Sequence, residues 1–210
     1  MTFDEFDLDP RCLSVLHSLN IIHPTPIQEQ AIPVALTARD LIATAQTGTG
    51  KTLGFALPSL SRLAREKPRR NRMLVLVPTR ELCVQVEAVM RNLAKALKLR
   101  TALIYGGVGL RPQAIQLKRG CDVIVATPGR LLDHLGQGNL HFRELEIFVL
   151  DEADRMLDMG FLPDIKRVVS KLPKERQTLM FSATFPDEIA VLARDMLTDP
   201  ERVAVGQISK

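Results

Sequence analysis

The residues best equipped for chemistry stand in two short runs, Ala45-Gln46-Thr47-Gly48-Thr49-Gly50-Lys51-Thr52 and Asp151-Glu152-Ala153-Asp154. The first follows an apolar stretch ending at Thr44 and precedes an amphipathic one, the setting of a phosphate-binding loop. Gly48 and Gly50 let backbone N–H groups approach phosphate oxygens, a helix N-terminus adds positive potential, and Lys51 reaches the outer phosphates. Thr52 brings a hydroxyl to Mg²⁺. Ala45 stands at the first fixed position of GxxxxGK[ST], and the other three fixed positions match. The second run follows Ile147-Phe-Val-Leu150. A carboxylate at the tip of a buried strand is what such a loop needs to hold Mg²⁺ opposite its lysine, which assigns Asp151 to the metal. Glu152 then orients or deprotonates the water that attacks the terminal phosphate. The plainer reading, a solvated acidic helix cap, predicts neither an apolar strand before the carboxylates nor a phosphate loop upstream.

Four more loops carry polar or glycine-rich residues after an apolar stretch. Pro78-Thr79-Arg80, Gly106-Gly107 and Thr127-Pro128-Gly129-Arg130 offer N–H groups, hydroxyls and guanidinium groups suited to successive phosphates of a single strand. Each taken alone also reads as a turn with a capping threonine. Phe181-Ser182-Ala183-Thr184 is the fourth. His17, His23, His134 and His141 lack metal-ligand spacing, and Cys12, Cys83 and Cys121 form no CxxC pair, so neither zinc nor a disulfide framework is expected. A reducing, cytoplasmic setting fits them.

Elements must bring these loops together. Apolar strands are predicted at Asp40–Thr44, Met73–Val77, Thr101–Tyr105, Asp122–Ala126, Ile147–Leu150 and Thr178–Phe181, apolar on both faces as in a covered parallel sheet. Helical periodicity fills 51–66, 79–97, 111–119, 128–136, 161–171 and 187–196, with two shorter helices ahead of them, one within Asp9–Leu19 and one over 26–38 capped by Thr25. This order predicts an α/β fold, a doubly wound, mostly parallel sheet flanked by helices, with its crevice at the carboxyl ends of the strands. The basic run Arg65–Arg72 falls at the opposite rim. It reads as a solvated loop or as an auxiliary nucleic-acid patch, and is given no role.

The 210 residues suit one large domain, with about 70% of the unfolded surface buried on folding. With 46% hydrophobic, 25% charged and 4% aromatic residues and no Trp, the composition excludes a disordered tail, a collagen-like chain and an aromatic-rich carbohydrate binder. A net charge of +4 is compatible with a polyanionic partner without requiring one. No apolar run approaches membrane length and the first residues are acidic, so neither a span nor a signal peptide is expected.

Asp151-Glu-Ala-Asp154 with Ala45–Thr52 closely resembles the N-terminal RecA-like domain of DEAD-box ATP-dependent RNA helicases, of bacterial type, and the resemblance covers essentially the whole chain. Pro24-Thr-Pro-Ile-Gln28 is similar to the family's Q motif, with Phe3 at its isolated upstream aromatic. Asn20-Ile21 stands where the family usually has Gly and an aromatic. The resemblance implies that Gln28 reads the adenine edge of ATP and Phe3 packs on the base, and that the Pro78, Gly106 and Thr127 loops grip RNA backbone without reading bases. It also implies that Ser182 and Thr184, through Asp154, couple hydrolysis to strand separation. By it, residues 1–29 form the Q-motif region, 30–206 the ATP-binding domain and 207–210 the start of an interdomain linker. A second, C-terminal RecA-like domain supplying an arginine finger is the expected intramolecular partner, since no HRxGRxGR run is present. The chain alone is expected to be a monomer that binds nucleotide with negligible RNA-stimulated ATPase. An unrelated P-loop protein or kinase is the alternative. Met156, Met159 and Phe161, which follow the acidic run, read as packing.

Overall fold

A computed structural model of the chain describes residues 1–206; the expected linker start at 207–210 lies outside them. Seven strands, β1 (Leu41–Thr44), β2 (Met73–Leu76), β3 (Thr101–Ile104), β4 (Val123–Ala126), β5 (Ile147–Leu150), β6 (Gln177–Ser182) and β7 (Glu201–Ala204), form one sheet ordered β3-β4-β2-β5-β6-β1-β7. Every recorded pairing is parallel. Around it lie α1 (Pro10–Ser18), α2 (Pro26–Leu36), α3 (Lys51–Arg65), α4 (Arg80–Ala96), α5 (Leu110–Arg119), α6 (Pro128–Gly136), α7 (Ala153–Asp158), α8 (Leu162–Val169) and α9 (Asp187–Met196).

Alternation along each strand sorts side chains to two cores. Leu41 and Ala43, Met73 and Val75, Val123 and Val125, Ile147 and Val149, Leu179 and Phe181 face α1 to α4, with Phe55 edge-on to Phe181 at 5.4 Å between ring centres. Ile42, Leu74, Leu76, Ile124, Phe148, Leu150 and Met180 face the helices of the other layer. Both faces are thus apolar, which is why the strands read as continuous runs.

Three features differ from the sequence expectation. Strand β7 was not expected: Glu201 and Val203 are half-buried and Arg202 and Ala204 exposed, so this edge strand carries no continuous apolar signal. The helix predicted over 161–171 is α8, and a short helix that was not expected, α7, precedes it, the two separated where Gly160 turns left-handed at φ 78° and Pro163 opens the first turn of α8. Asn20, where the resembled family has glycine, adopts φ 56° after α1, a conformation Asn tolerates better than most residues. The turn therefore survives the exchange, and Ile21 packs on the core.

Candidate active site and nucleic-acid cleft

The strand order does the assembling. β6 lies between β1 and β5, so the loops that leave these three strands, Ala45–Thr52, Asp151–Asp154 and Ser182–Thr184, converge at one carboxyl edge. β3, β4 and β2 are also contiguous, and deliver the Gly106, Thr127 and Pro78 loops side by side.

In the phosphate loop, Gly48 and Gly50 sit at φ 82° and 85°, where glycine alone is unstrained. A Cβ on Gly50 would lie 2.5 Å from Gln28 Nε2, whereas one on Gly48 would meet nothing within 4 Å. Thr49 Oγ1 donates to Gln46 O at 2.7 Å, closing the loop on itself. Lys51 begins α3 and is only 7% exposed, yet its Nζ has no hydrogen-bond partner. Its nearest counter-charge is Asp151 Oδ1 at 3.9 Å. A buried ammonium lacking acceptors is costly unless a ligand supplies them. Asp151, 2% exposed at the tip of β5, is pushed up to about 6 by burial, with Lys51 pulling it down and Glu152 and Asp154 adding to the rise. Thr52 is half-buried one residue after Lys51.

These residues fit a divalent cation held together with phosphates. Among the described residues no group of three or more His, Cys, Asp or Glu side chains is placed to hold a metal ion by itself. One carboxylate and one hydroxyl leave most ligand positions to phosphate oxygens and water, the preference of Mg²⁺.

Glu152 caps α7 in the left-handed region, φ 53° and ψ 52°, a strain of about 1–2 kcal/mol for a residue with a Cβ. Its N–H donates to Asp151 Oδ1 at 3.0 Å and its carboxylate meets Arg155 at 3.3 Å. Asp154 is tied to β6. Its Oδ2 accepts from Thr184 N–H at 3.0 Å and from the Thr184 hydroxyl at 2.9 Å, and its N–H donates to Ser182 Oγ at 3.2 Å. Ser182 in turn donates to Thr184 O at 2.6 Å. Burial raises the Asp154 carboxyl, but the Thr184 and Ser182 hydrogen bonds outweigh it and hold the group below its ordinary range.

Gln28 is no exposed helix residue; at 3% exposure it forms part of the loop's support. Its Oε1 accepts from Thr25 N–H at 2.9 Å, its Nε2 donates to Gly50 O at 3.0 Å, and Thr25 Oγ1 donates to Thr49 O at 2.7 Å. Phe3 departs from the expectation that it packs on a base. It is 1% exposed, its ring lies edge-on to Phe6 at 6.2 Å, and its N–H donates to Ile22 O, so it has no free face and serves as a hydrophobic anchor.

The other three loops line one cleft of about 410 Å³, together with Met159 and Phe161. Thr79 caps α4 by accepting from Leu82 N–H at 3.2 Å, and Arg80 lies over the Tyr105 ring at 4.8 Å. Gly107 turns at φ 81°. Thr127 and Pro128 open α6. Arg130 is turned inward, donating to Val108 O at 2.9 Å and Gln113 Oε1 at 3.2 Å, with Asp133 at 3.6 Å. The 46% exposure of Met159 in this cleft corrects the reading of that residue as packing; Met156, fully buried, keeps it.

Gln113 was not singled out from the sequence. Buried on α5, it donates to Tyr105 O at 2.8 Å, and its Oε1 stands 2.9 Å from His134 Nε2 as well as accepting from Arg130. Asn139 Nδ2 donates to His134 Nδ1 at 2.9 Å, which assigns the proton to Nε2. Burial foremost, then the Arg130 charge, lowers His134 below its ordinary value, with Asp133 opposing. The sequence signal for this clasp is only a Gln and a His on the inner faces of two amphipathic helices.

A parallel sheet carrying a phosphate loop after β1 and carboxylates after β5 defines a RecA-like nucleotide-binding domain. Residues 25–192 match the DEAD/DEAH box helicase family, to which the chain therefore belongs. It is 46% identical over 99% of its length to the probable ATP-dependent RNA helicase ddx27 of Dictyostelium discoideum, 27% of which it covers. Over its full length it is 43% identical to DEAD-box ATP-dependent RNA helicase 40 of Arabidopsis thaliana, covering 20% of that protein. The crystal structure of a DEAD box protein from the hyperthermophile Methanococcus jannaschii superimposes with a TM-score of 0.93 at 36% identity, over 98% of this chain and 56% of that one. The chain thus spans well under half the length of these curated relatives, both eukaryotic, which lend nothing to the expected bacterial type. Family membership sets aside the unrelated P-loop kinase.

Proposed function

We propose that the chain is the ATP-binding half of an RNA helicase that couples ATP hydrolysis to local separation of RNA strands. The observation that carries this is Lys51 Nζ, buried without a partner, 3.9 Å from Asp151 in a glycine-turned loop. ATP phosphates supply the acceptors it lacks, with further N–H donors from residues 46–52 at the start of α3. Thr52 and Asp151 are the residues that would hold Mg²⁺, which when bound neutralises charge developing on the phosphates. Glu152, beside Asp151, orients the attacking water. Gln28 has one Nε2 hydrogen and one Oε1 lone pair left over from Thr25 and Gly50, enough for the adenine edge.

RNA lies across Thr79, Arg80, Gly106, Gly107 and Thr127–Arg130, gripped by its backbone and therefore without base preference. Asp154, held from both sides by Thr184 and Ser182, transmits a change at the terminal phosphate to β6. A second RecA-like domain of the same protein closes over both ligands and brings an arginine finger, worth roughly 10³–10⁵ in rate. The chain by itself is a monomer that binds nucleotide and hydrolyses it negligibly. No helix of the described residues is long and apolar enough to cross a membrane, and the protein works in the cytoplasm.

RNA-stimulated ATPase of the full-length protein tests this. Lys51→Ala abolishes nucleotide binding, and Glu152→Gln keeps binding but loses turnover. Intact turnover in either variant overturns the assignment.

A further inference from the structure

The opposite edge of the sheet, where the strands begin, is also built for a polyanion. The basic run that ends at Arg72 enters β2 here. Arg70 lies across the end of α5, its Cζ within van der Waals reach, 3.5 Å, of where a Cβ on Gly120 would stand. Arg70, Asn71, Arg111, Lys118 and His141 line a cleft of about 440 Å³. It shares His141 with a neighbouring cleft of about 560 Å³ that holds Arg143 and Lys171.

Two carboxylates stand at this edge, Asp122 Oδ2 accepting from Arg100 N–H at 2.8 Å and Glu144 Oε2 from Arg70 N–H at 3.2 Å, and they are outnumbered by Arg70, Arg111, Lys118, Arg143 and Lys171. Arg70, Arg111 and Lys118 enter no ion pair among the described residues. In a chain whose net charge is only +4, unpaired cations gathered on one edge make a local attractive field.

Helix α5 joins this edge to the cleft of Pro78–Arg130. It begins at Leu110, after Gly109 and just past Gly106-Gly107, and ends at Lys118 and Arg119, a run of about 15 Å for its length. Arg111, Ile115 and Lys118 follow at i, i+4 and i+7, one row on the helix surface, and all three are exposed. Ile115 keeps 46% of its surface in water between the two cations. Cations flanking an apolar side chain suit a single strand whose phosphates pair while its bases rest on an uncharged floor. An acidic protein would meet the charges but has no reason to approach along a row leading out of the first cleft.

We propose that RNA leaving the Pro78–Arg130 cleft continues along Arg111, Ile115 and Lys118 to Arg70, so that the domain holds a flanking single strand beyond its central site. This rests on the RNA reading above, and its test separates the two. Binding of two oligouridylates is followed against salt, one just filling the Pro78–Arg130 cleft and one extending well past it. The longer RNA binds more tightly and with the steeper salt dependence. Arg111→Gln with Lys118→Gln lowers its slope of log K against log salt by about 1.4, two contacts at about 0.7 each for single strands, and leaves the short RNA unchanged. Equal affinity and slope for the two RNAs overturns the extension while the central cleft stands, as does a double variant that weakens both alike. Failure of both RNAs to bind removes both readings.

Discussion

Gln113→Ala probes the arrangement that the fold alone creates. The amide makes one bond to Tyr105 O, ahead of Gly106-Gly107, one with buried His134, and one with Arg130. Two neutral bonds contribute about 1 kcal/mol each and a charge-assisted one about 2. Arg130 retains Val108 O and Asp133, whereas the His134 N–H, at 0% exposure, has no substitute acceptor. A loss of about 3 kcal/mol in urea unfolding is therefore expected. Because the amide holds the Gly106 and Thr127 loops at their spacing, the apparent affinity for RNA should fall about tenfold, the equivalent of about 1.4 kcal/mol. Affinity for ATP should not change, since Gln113 touches nothing near Lys51. Gln113→Glu keeps both acceptor bonds but sets a carboxylate oxygen against Tyr105 O, so it should recover only part of the stability and of the RNA affinity. Unchanged RNA affinity alongside the full stability loss would refute the clasp as a positioning device and leave it a packing feature.

Other substitutions address the remaining parts. Gly50→Ala places a methyl against Gln28 Nε2 and forces a left-handed alanine at about 1–2 kcal/mol, so nucleotide affinity, read by titration with a fluorescent ATP analogue, should fall at least tenfold. Thr184→Val removes the hydroxyl bond to Asp154 and should leave ATP binding intact while unwinding per ATP hydrolysed drops severalfold in the full-length protein; parallel losses of both would oppose a coupling role. His134, whose folded pKa is lowered, is neutral in both states above its unfolded value near 6.5. As pH falls through that value the unfolded chain takes up the proton first, so stability declines, and urea midpoints measured downward from neutral pH should show a drop that His134→Gln flattens.

How the loops came to be legible follows from what carries each signal. The phosphate loop, the Asp151 run and the capping threonines are local: Gly48 and Gly50 need left-handed turns, Thr79 accepts from a helix N–H while Thr25 N–H donates to Gln28 three residues on, and the strands before the loops are apolar on both faces. Those demands act within a few residues of chain and are written in residue type and spacing, so the fold class, and the turns and caps of these loops, could be read from the sequence. β7 escaped because an edge strand buries only one side of its backbone, and Phe3 was misjudged because its burial depends on Ile22 and Phe6 rather than on its own neighbours in a motif.

Only the tertiary structure decided which loops meet. The chain visits nucleotide loop, nucleic-acid loops, carboxylates and Ser182–Thr184 in an interleaved order, while the sheet sorts them into β5-β6-β1 and β3-β4-β2. Parallel strands joined by crossovers can be placed beside partners far away in sequence, and the preference among orders lies in the packing of whole helices against both faces. The Asp154–Thr184 bridge and the cationic edge around Arg70 join residues from such distant strands, and the Gln113 clasp closes between the helices that follow β3 and β4. Their residues are plain in the sequence, and their partnership is a property of the sheet.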